Sequence, residues 1–373
     1  MLHVAILFEF ASLNGGERSM LAVMGELAEN SLLEFSAIAP EHGNLADELR
    51  RLDIPVSPFT TRDADGKRPA EEIRSALQRI IDKTRPDILH ANSLSMSRLT
   101  GQLQNPNVKR TGHLRDIIKL NKTVISDLNQ NDALIAVSRA TRDFHIQQGL
   151  QADRCRVVYN GVDLKRFVAR NKSNIRHQLF PEIPASAQLL LNVGQICLRK
   201  DQLTLARAVC KLLEERDDIF LLMAGARFSE KAESRAFESA IKNEFQLNGK
   251  SAHLRMLGQR DDVHLLMNSA DLLVHTAKQE PLGRTLLEAA ASGLPIVATD
   301  VGGTSEILAH DREAVLITPG DTSTLTTAIS RLLDDPSLKS SLAAAARTRM
   351  AEHFNVDEAA GNLVDFWLQL ANK

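Results

Sequence analysis

The chain has few of the residues that mark a disulfide-bonded or metal-binding protein. Its 373 residues include only three cysteines, Cys155, Cys197 and Cys210. Their spacing matches neither a zinc motif nor a disulfide framework. We therefore expect three thiols in a reducing compartment. No cluster of side chains suits a metal ion, so the sequence predicts no metal site.

The chain also lacks an excess of charge of one sign. It carries 45 basic and 47 acidic residues, for a formal net charge of −2, and no basic stripe of the kind that binds nucleic acid. The densest basic stretch is 109–122, with Lys109, Arg110, Arg115, Lys119 and Lys122. Two interpretations stay open for it: a solvated loop and helix face, or a surface for anionic lipid or an anionic acceptor. Nucleic acid is thus excluded as an expected partner, and peripheral membrane contact is not.

Long hydrophobic runs are missing as well. No apolar run approaches the roughly 20 residues that a membrane-spanning helix needs. The N-terminus passes directly into the apolar run Val4–Phe8, without a basic lead or a small-residue cleavage site. We expect a cytoplasmic protein, with membrane association at the cytoplasmic face as the alternative.

What the chain does have is a regular alternation of short apolar runs with amphipathic helical stretches. Such alternation predicts an α/β fold with parallel strands joined by right-handed crossovers. A length of 373 residues suits two domains. We predict one domain at 1–162, a linker and surface loop at 163–187, a second domain at 188–354, and a last helix at about 355–373.

The segment from Glu280 to Glu288 is the most informative for function. Pro281 favours an extended backbone at Glu280, so the carboxylate can project from the end of a strand. Gly283 permits close backbone approach just before a predicted helix, whose free amides can bind an anion. Glu288 lies about one turn further on, where its carboxylate can accept hydrogen bonds from vicinal hydroxyls. Two carboxylates around an amide-lined anion site suit a nucleotide-sugar.

Other candidate site residues follow predicted strands, where ligands of open α/β sheets bind. Gly15 and Gly16 follow the first strand and open the first helix; the alternative for this turn is a plain tight connection. His113 ends a later strand, although a lone histidine is more often structural. His90 and Asn92 follow another strand and are equally consistent with lining a site or with a structural role.

Together these segments resemble the retaining GT-B glycosyltransferases of the large glycosyltransferase family 4, also called glycosyl transferases group 1. The run from Glu280 to Glu288 resembles the acidic motif of that family, and 289–307 continues the match almost position by position. The resemblance covers nearly the whole chain. It is strongest over 271–307 and weakest over 33–103 and 165–188.

The resemblance implies two Rossmann-like domains with a cleft between them and a C-terminal helix that crosses back to the N-terminal domain. It also implies a hexosyltransferase that moves a sugar from a nucleotide-diphosphate sugar to a saccharide, lipid-linked or small-molecule acceptor in bacterial polysaccharide synthesis. The donor is held mainly by the C-terminal domain and the acceptor by the N-terminal domain. Catalysis needs neither a metal nor a cofactor besides the donor.

The resemblance also assigns roles to residues. Glu280 binds the donor sugar, Glu288 the ribose, and Lys200 the departing phosphate. The predicted catalytic residues are Glu280, Lys200 and His113. The predicted donor-binding residues are Gly15, Gly16, Arg199, Lys200, Arg260, Glu280, Leu282, Gly283, Arg284, Thr285 and Glu288.

Two positions depart from the pattern of the family. Gln195 stands where an arginine is usual, and Asp201 where a glycine follows the lysine. This puts charge neutralisation at the phosphates in doubt, unless Arg199 compensates. Two alternatives therefore stay open: a nucleotide-sugar epimerase of similar architecture, and a catalytically silent homologue that binds a sugar nucleotide or glycan.

Overall fold

The computed structural model describes residues 1–63, 65–104 and 108–372. The chain forms two compact units. The first contains Met1–Gly161 together with the C-terminal segment that begins at Asn355, and the second contains Val162–Phe354.

The strands of the first unit are β1 (Leu2–Leu7), β2 (Leu33–Ala39), β3 (Val56–Pro58), β4 (Arg62–Asp63), β5 (Gly66–Lys67), β6 (Ile88–Ala91), β7 (Lys109–Leu114), β8 (Ala133–Ala136) and β9 (Cys155–Val157). Over the described residues, seven of them form a parallel sheet in the order β3-β2-β1-β6-β7-β8-β9. β4 and β5 form a small antiparallel pair. The order reverses direction at β1 and β6, which places their carboxyl ends at a topological switch point.

The helices between these strands are α1 (Gly15–Glu26), α2 (Asn44–Arg51), α3 (Ala70–Thr84), α4 (Leu94–Gly101), α5 (Lys122–Leu128) and α6 (Arg139–Ile146). Three of them begin at a side-chain cap: Ser93, Asn121 and Ser138 each accept a hydrogen bond from a backbone amide in the first turn. Such caps satisfy amides that have no partner within the helix. Apolar residues of α1 and α2 pack on one face of the sheet, and those of α3 and α4 on the other.

The second unit contains the strands β10 (Gln188–Val193), β11 (Ile219–Ala224), β12 (Leu254–Gly258), β13 (Leu272–His275), β14 (Ile296–Thr299) and β15 (Val315–Ile317). Its helices are α7 (Lys172–Leu179), α8 (Gln202–Leu212), α9 (Ala232–Leu247), α10 (Val263–Ser269), α11 (Arg284–Ala291), α12 (Thr304–Ile307), α13 (Thr322–Asp334) and α14 (Pro336–His353). The strands pair in parallel in the order β12-β11-β10-β13-β14-β15 over the described residues. The predicted α/β fold with two Rossmann-like sheets is thus confirmed.

The segment 163–187 differs from the linker and surface loop that the sequence predicts. It contains α7 and belongs to the second unit. The buried guanidinium of Arg176 donates to the backbone oxygens of Ser269 and Ala187 and forms an ion pair with Asp271. Within α7 the buried side chain is that of Arg176, a polar anchor, which is why the composition of this helix resembles a linker.

The last helix, α15 (Val356–Ala371), crosses back to the first unit as the resemblance implies. Its apolar side joins the core formed by β1, β2 and α1. Asn355 caps it by accepting a hydrogen bond from the amide of Glu358. Trp367 is fully buried, and its ring lies edge-on to that of Phe35, with the centroids 5.7 Å apart.

Candidate functional site

Glu280 is the centre of a buried polar group in the second unit. It follows the carboxyl end of β13 and is 7% exposed. Its Oε2 accepts hydrogen bonds from Lys200 Nζ at 2.5 Å and from His275 Nε2 at 2.7 Å. Burial opposes ionisation of this carboxyl, but the Lys200 ammonium and His275 outweigh burial and hold its pKa well below the usual range. Glu280 is therefore a carboxylate at neutral pH, held in place by two donors.

His275 completes this group as a neutral donor. Burial, followed by the charge of Lys200, lowers its pKa. A neutral histidine that donates Nε2–H to a carboxylate leaves its other nitrogen unprotonated. His275 was not predicted as a site residue. The signal was present, because it is a histidine at the carboxyl end of a strand, the same placement that singled out His113.

The turn between Glu280 and α11 contains a glycine in the left-handed region. Gly283 caps α11 with a φ of +105°, a conformation that favours glycine. A Cβ at this position would lie 2.7 Å from Leu286 Cδ1. The missing side chain at Gly283 therefore lets Leu286 pack against the turn. Leu282, Gly283, Arg284 and Thr285 lie at the N-terminal end of α11, the end of a helix at which backbone amides can bind an anion.

Glu288 lies one turn into α11 and is buried. Its Oε1 accepts a contact from Arg284 Nε at 2.8 Å, an i,i+4 ion pair on the same helix. The structure thus brings two predicted donor-binding residues together through a pairing that the sequence analysis did not include. A ligand diol that binds Glu288 has to share or displace the Arg284 guanidinium.

The segment 198–201, predicted to lie at the departing phosphate, forms a tight turn. Leu198–Lys200 is a short 3-10 turn, and Asp201 follows in the left-handed region with a φ of +49°. The hydroxyl of Thr276 donates to the backbone oxygens of Lys200 and Asp201. The Lys200 side chain thereby turns inward to Glu280, whereas Arg199 is exposed and donates to the backbone oxygen of Gln279.

The two departures from the family pattern have different consequences. Asp201 occupies a left-handed position that suits glycine, and aspartate tolerates that conformation better than most residues. Its carboxylate accepts from the Thr204 hydroxyl at 2.8 Å and lies 3.2 Å from Lys278 Nζ. Asp201 therefore retains the turn. Gln195 brings no charge, and its backbone oxygen accepts from the Gln202 side chain.

Arg260 lies in the turn after β12, as predicted, but its guanidinium is engaged within the turn. It contacts Asp262 through two bonds, Nε to Oδ1 at 2.7 Å and Nη2 to Oδ2 at 2.5 Å. The paired guanidinium lowers the pKa of Asp262. A direct donor contact by Arg260 would require this bidentate pair to open.

In the first unit, one of the two predicted glycines, Gly16, lies against the half-buried side chain of Arg115. A Cβ at Gly16 would lie 3.0 Å from Arg115 Cδ, whereas no atom lies within 4 Å of a Cβ at Gly15. The Arg115 guanidinium donates to both side-chain and backbone oxygens of Asn92 and to Asn160 Oδ1. Gly16 thus permits the start of α1 to pack against Arg115.

His113 contacts Arg115 and a second histidine. Its Nδ1 lies 3.0 Å from Arg115 Nη2, and its ring lies edge-on to that of His90, with the centroids 5.5 Å apart. His90 Nδ1 in turn accepts from Trp367 Nε1 at 3.1 Å. Burial, followed by the Arg115 charge, lowers the pKa of His90 to about 3 and that of His113 well below its usual value. Both rings are neutral at physiological pH.

Metal clusters and membrane-spanning helices are both absent from the described part of the chain. Within residues 1–63, 65–104 and 108–372, no three His, Cys, Asp or Glu side chains are grouped so that they could hold a metal ion. Over the same residues, no helix has the length and apolar character required to span a bilayer.

Comparison with protein-family models gives two matches. The model described as "Glycosyl transferases group 1" matches residues 176–349, and the one described as "Glycosyltransferase Family 4" matches residues 13–166. The segment from Glu280 to Glu288 and the turn at Leu198–Lys200 fall in the first match, and His113 with the Gly15–Gly16 turn falls in the second.

Curated relatives match over most of the chain. A lipopolysaccharide core biosynthesis glycosyltransferase of Rhizobium meliloti, LpsE, is 24% identical over 97% of this chain and 97% of its own. A galactosyltransferase of Escherichia coli is 22% identical over 92% of this chain and 91% of its own; its name describes transfer from UDP-Gal to α-D-GlcNAc-diphosphoundecaprenol.

Solved structures show the same fold. The Anabaena protein HepE in complex with UDP and glucose aligns with a TM-score of 0.86 at 21% identity, covering 99% of this chain and 100% of its own. Sucrose-phosphate synthase from Thermosynechococcus elongatus aligns with a TM-score of 0.83 at 19% identity, covering 99% of each chain.

Proposed function

Because the chain belongs to the group 1 glycosyltransferases of glycosyltransferase family 4, we propose that it moves a hexose from a nucleotide-diphosphate sugar to a saccharide or lipid-linked acceptor, with retention of anomeric configuration and without a metal ion. The proposed setting is bacterial polysaccharide or glycolipid synthesis. That the chain is a glycosyltransferase agrees with the prediction from sequence; donor, acceptor, stereochemistry and metal independence are parts of the proposal.

The observation that carries the proposal is the buried carboxylate of Glu280 between Lys200 and His275. In this arrangement Glu280 offers acceptor oxygens to the hydroxyls of a donor sugar. Lys200 has three N–H donors and can meet a phosphate oxygen as well as Glu280. The start of α11 adds backbone amides.

Charge development explains why these groups would speed the reaction. As the bond between the sugar and the diphosphate breaks, negative charge grows on the phosphate oxygens. Lys200 stabilises that charge more strongly in the transition state than in the ground state. The acceptor oxygen attacks the anomeric carbon from the face that the diphosphate leaves, and a phosphate oxygen takes the acceptor proton. No side chain acts as nucleophile, so Glu280 positions and stabilises the sugar.

The choice of donor to test first rests on the relatives. HepE was crystallised with UDP and glucose, and the name of the E. coli relative contains UDP-Gal. We therefore propose a UDP-hexose. The lipopolysaccharide and undecaprenol-linked relatives favour a lipid-linked saccharide acceptor. In the proposal this acceptor binds to the first unit, where His113 contributes to its binding. The names of these relatives also favour a reaction that takes place at the cytoplasmic face of a membrane.

The first experiment is a thermal-shift screen of the purified protein against UDP-, GDP-, ADP- and dTDP-sugars, with and without a chelator. A ligand at a hundredfold excess over its Kd adds about 2.7 kcal/mol, which shifts Tm by several degrees for domains of this size. We expect a UDP-hexose to stabilise the protein equally with and without chelator.

A Glu288→Gln variant tests the ribose contact. It keeps the shape of the side chain but replaces one of the two carboxylate oxygens, which would accept hydrogen bonds from the ribose hydroxyls, with an amide NH2 group. It should lose most of the shift. The stabilising sugar then enters transfer assays, with the product anomer read by NMR. An inverted product or a requirement for metal would overturn those parts of the proposal. Interconversion of the donor sugar without acceptor would favour the epimerase, and tight binding without turnover the silent homologue.

A further inference from the structure

Two buried histidines of the first unit each accept a hydrogen bond from a group that can only donate. Trp367 Nε1 donates to His90 Nδ1 at 3.1 Å. Arg115 Nη2 lies 3.0 Å from His113 Nδ1. An indole N–H and a guanidinium have no acceptor lone pair. Both Nδ1 atoms must therefore carry a lone pair, and the proton of each neutral ring lies on Nε2.

The surroundings keep both rings neutral. His90 and His113 are on adjacent parallel strands, β6 and β7, and both are buried. The cation that faces His113 is Arg115, and the other titratable ring in contact is His90. From α1, Glu17 faces Arg115, and Trp367 on α15 is uncharged. A second positive charge next to the Arg115 guanidinium is unfavourable.

This arrangement leaves two N–H donors without acceptors. His90 Nε2 and His113 Nε2 are buried and have no hydrogen-bond partner within the described residues; the same holds for Thr111 Oγ1 on β7. A buried donor without a partner costs about 1–3 kcal/mol. Such a cost in a folded domain is consistent with a site whose partner arrives with a ligand.

We propose that Arg115 and Trp367 are positioning residues that fix His113 and His90 as neutral Nε2–H tautomers. His113 then serves the transfer reaction as a hydrogen-bond donor to an oxygen of the bound sugar or acceptor, and not as a general base. The assignment of this task to His113 rests on the proposed function. The tautomers themselves follow from the contacts and are independent of it.

Trp367 acts through His90. The indole ring stands perpendicular to the His90 ring, at a centroid distance of 5.5 Å, and the His90 ring packs edge-on against His113. Without its Nδ1 partner, the His90 ring could change tautomer and rotate. The His113 ring would then lose the fixed ring against which it packs. The C-terminal helix thereby contributes one hydrogen bond to the order of the proposed site.

The tautomers are measured directly by histidine side-chain ¹⁵N NMR of the intact ligand-free protein. His90→Gln and His113→Gln identify the two sets of signals. Both wild-type rings should show an unprotonated Nδ1 and a protonated Nε2 from pH 6 to 8. Arg115→Met should release His113 into a mixture, and Trp367→Phe should do the same for His90. A wild-type His113 with its proton on Nδ1, or a spectrum of His113 unchanged in Arg115→Met, overturns the proposal.

Matched controls separate positioning from folding. Arg110 lies on β7, the strand that Arg115 follows, but its guanidinium donates to the backbone oxygens of Leu103 and Gln130. Phe366 neighbours Trp367 on α15, is buried and has no polar atom. Arg110→Met and Phe366→Leu can lower Tm, but they should leave the histidine tautomers as in the wild type. A tautomer change in these controls would mean that general loosening is responsible.

Activity measurements then distinguish whether His113 acts as a hydrogen-bond donor or as a general base. Loss of one hydrogen bond predicts that Arg115→Met and Trp367→Phe lower kcat about three- to tenfold, with little change in KM for the donor. Protonation of His113 makes both nitrogens donors, so activity of Arg115→Met relative to wild type should rise from pH 8 to pH 6. A general base would lose activity over that interval. Fixed tautomers with no transfer to any acceptor would contradict the proposed function only.

Discussion

Lys200 and Arg199 are neighbours in sequence with opposite surroundings. The ammonium of Lys200 is buried against the Glu280 carboxylate, which also accepts a hydrogen bond from neutral His275. Arg199 is exposed and contacts one backbone oxygen. The 3-10 turn that ends at Lys200, followed by Asp201 in the left-handed region, separates the two side chains. The positive charge of Lys200 therefore lies next to the Glu280 carboxylate, and that of Arg199 does not.

We expect Lys200→Met to lower kcat about 10²- to 10³-fold, the range found when one preorganised donor at a developing charge is removed. The donor Kd should change less, because the phosphate is stabilised more in the transition state. Arg199→Met is the control and should lose less than about tenfold. Initial rates and donor titrations measure both. Equal losses in the two variants would show that Arg199 compensates for Gln195.

How much of the site could be predicted from the sequence depends on how far apart along the chain the contacting residues lie. Glu280, Gly283 and Glu288 lie within one segment, where proline, glycine and helix spacing impose local geometry. Their arrangement follows that geometry. The bond from Trp367 to His90 spans 277 positions. No local pattern signals such a contact, since it depends on how the last helix packs.

At the scale of elements, α7 shows how a polar segment can be part of a core. Arg176 is buried, and its guanidinium is shared between backbone oxygens and the carboxylate of Asp271, which precedes β13. Lys172 pairs with the same carboxylate. Asp271 also accepts from the amide of Leu189 at the start of β10. One buried carboxylate thus connects a helix to two strands. Sequence patterns that count apolar residues miss this kind of anchor, whereas they succeed for the apolar strands of both sheets.

Breaking that anchor should be costly. Arg176→Met leaves Asp271 with Lys172 as its remaining charged partner, and removing one member of a buried pair typically costs about 3–5 kcal/mol. The matched control is Arg207→Met on α8, because that guanidinium is half exposed and lies 3.6 Å from Glu244. Exposed pairs contribute about 0–1 kcal/mol. Hydrogen exchange of the β10 and β13 amides should be accelerated in the first variant only. Equal exchange in both would refute the anchor.

At the scale of the whole molecule, the chain returns to its first unit after completing the second. α15 contributes Val356, Ala360, Leu363, Val364, Phe366, Trp367 and Leu370 to the core of the first unit. The apolar core on this face of the first sheet is therefore incomplete until α15 has been synthesised. The resemblance to the family predicted this return. Apolar spacing alone predicted the helix but not the sheet on which it packs.

Removing α15 should consequently affect the two units differently. A chain that ends at Phe354 exposes apolar residues of β1 and β2 that α15 otherwise covers, so their amides should exchange much faster. The strands of the second unit contain none of these contacts and should keep their protection. Trp367→Ala is the milder variant, because it retains the helix and costs about 3–5 kcal/mol. Hydrogen exchange followed by mass spectrometry reports on every strand at once.

The same two variants test where the donor binds. If the second unit holds the nucleotide-sugar through Glu280, Glu288 and Lys200, Trp367→Ala should bind the donor as the wild type does, although its first unit is less stable. Slower exchange at α11 and at the turn before α8 on adding the donor would show that binding persists. Loss of that protection, with the second-unit strands still protected, would mean that donor binding depends on the first unit.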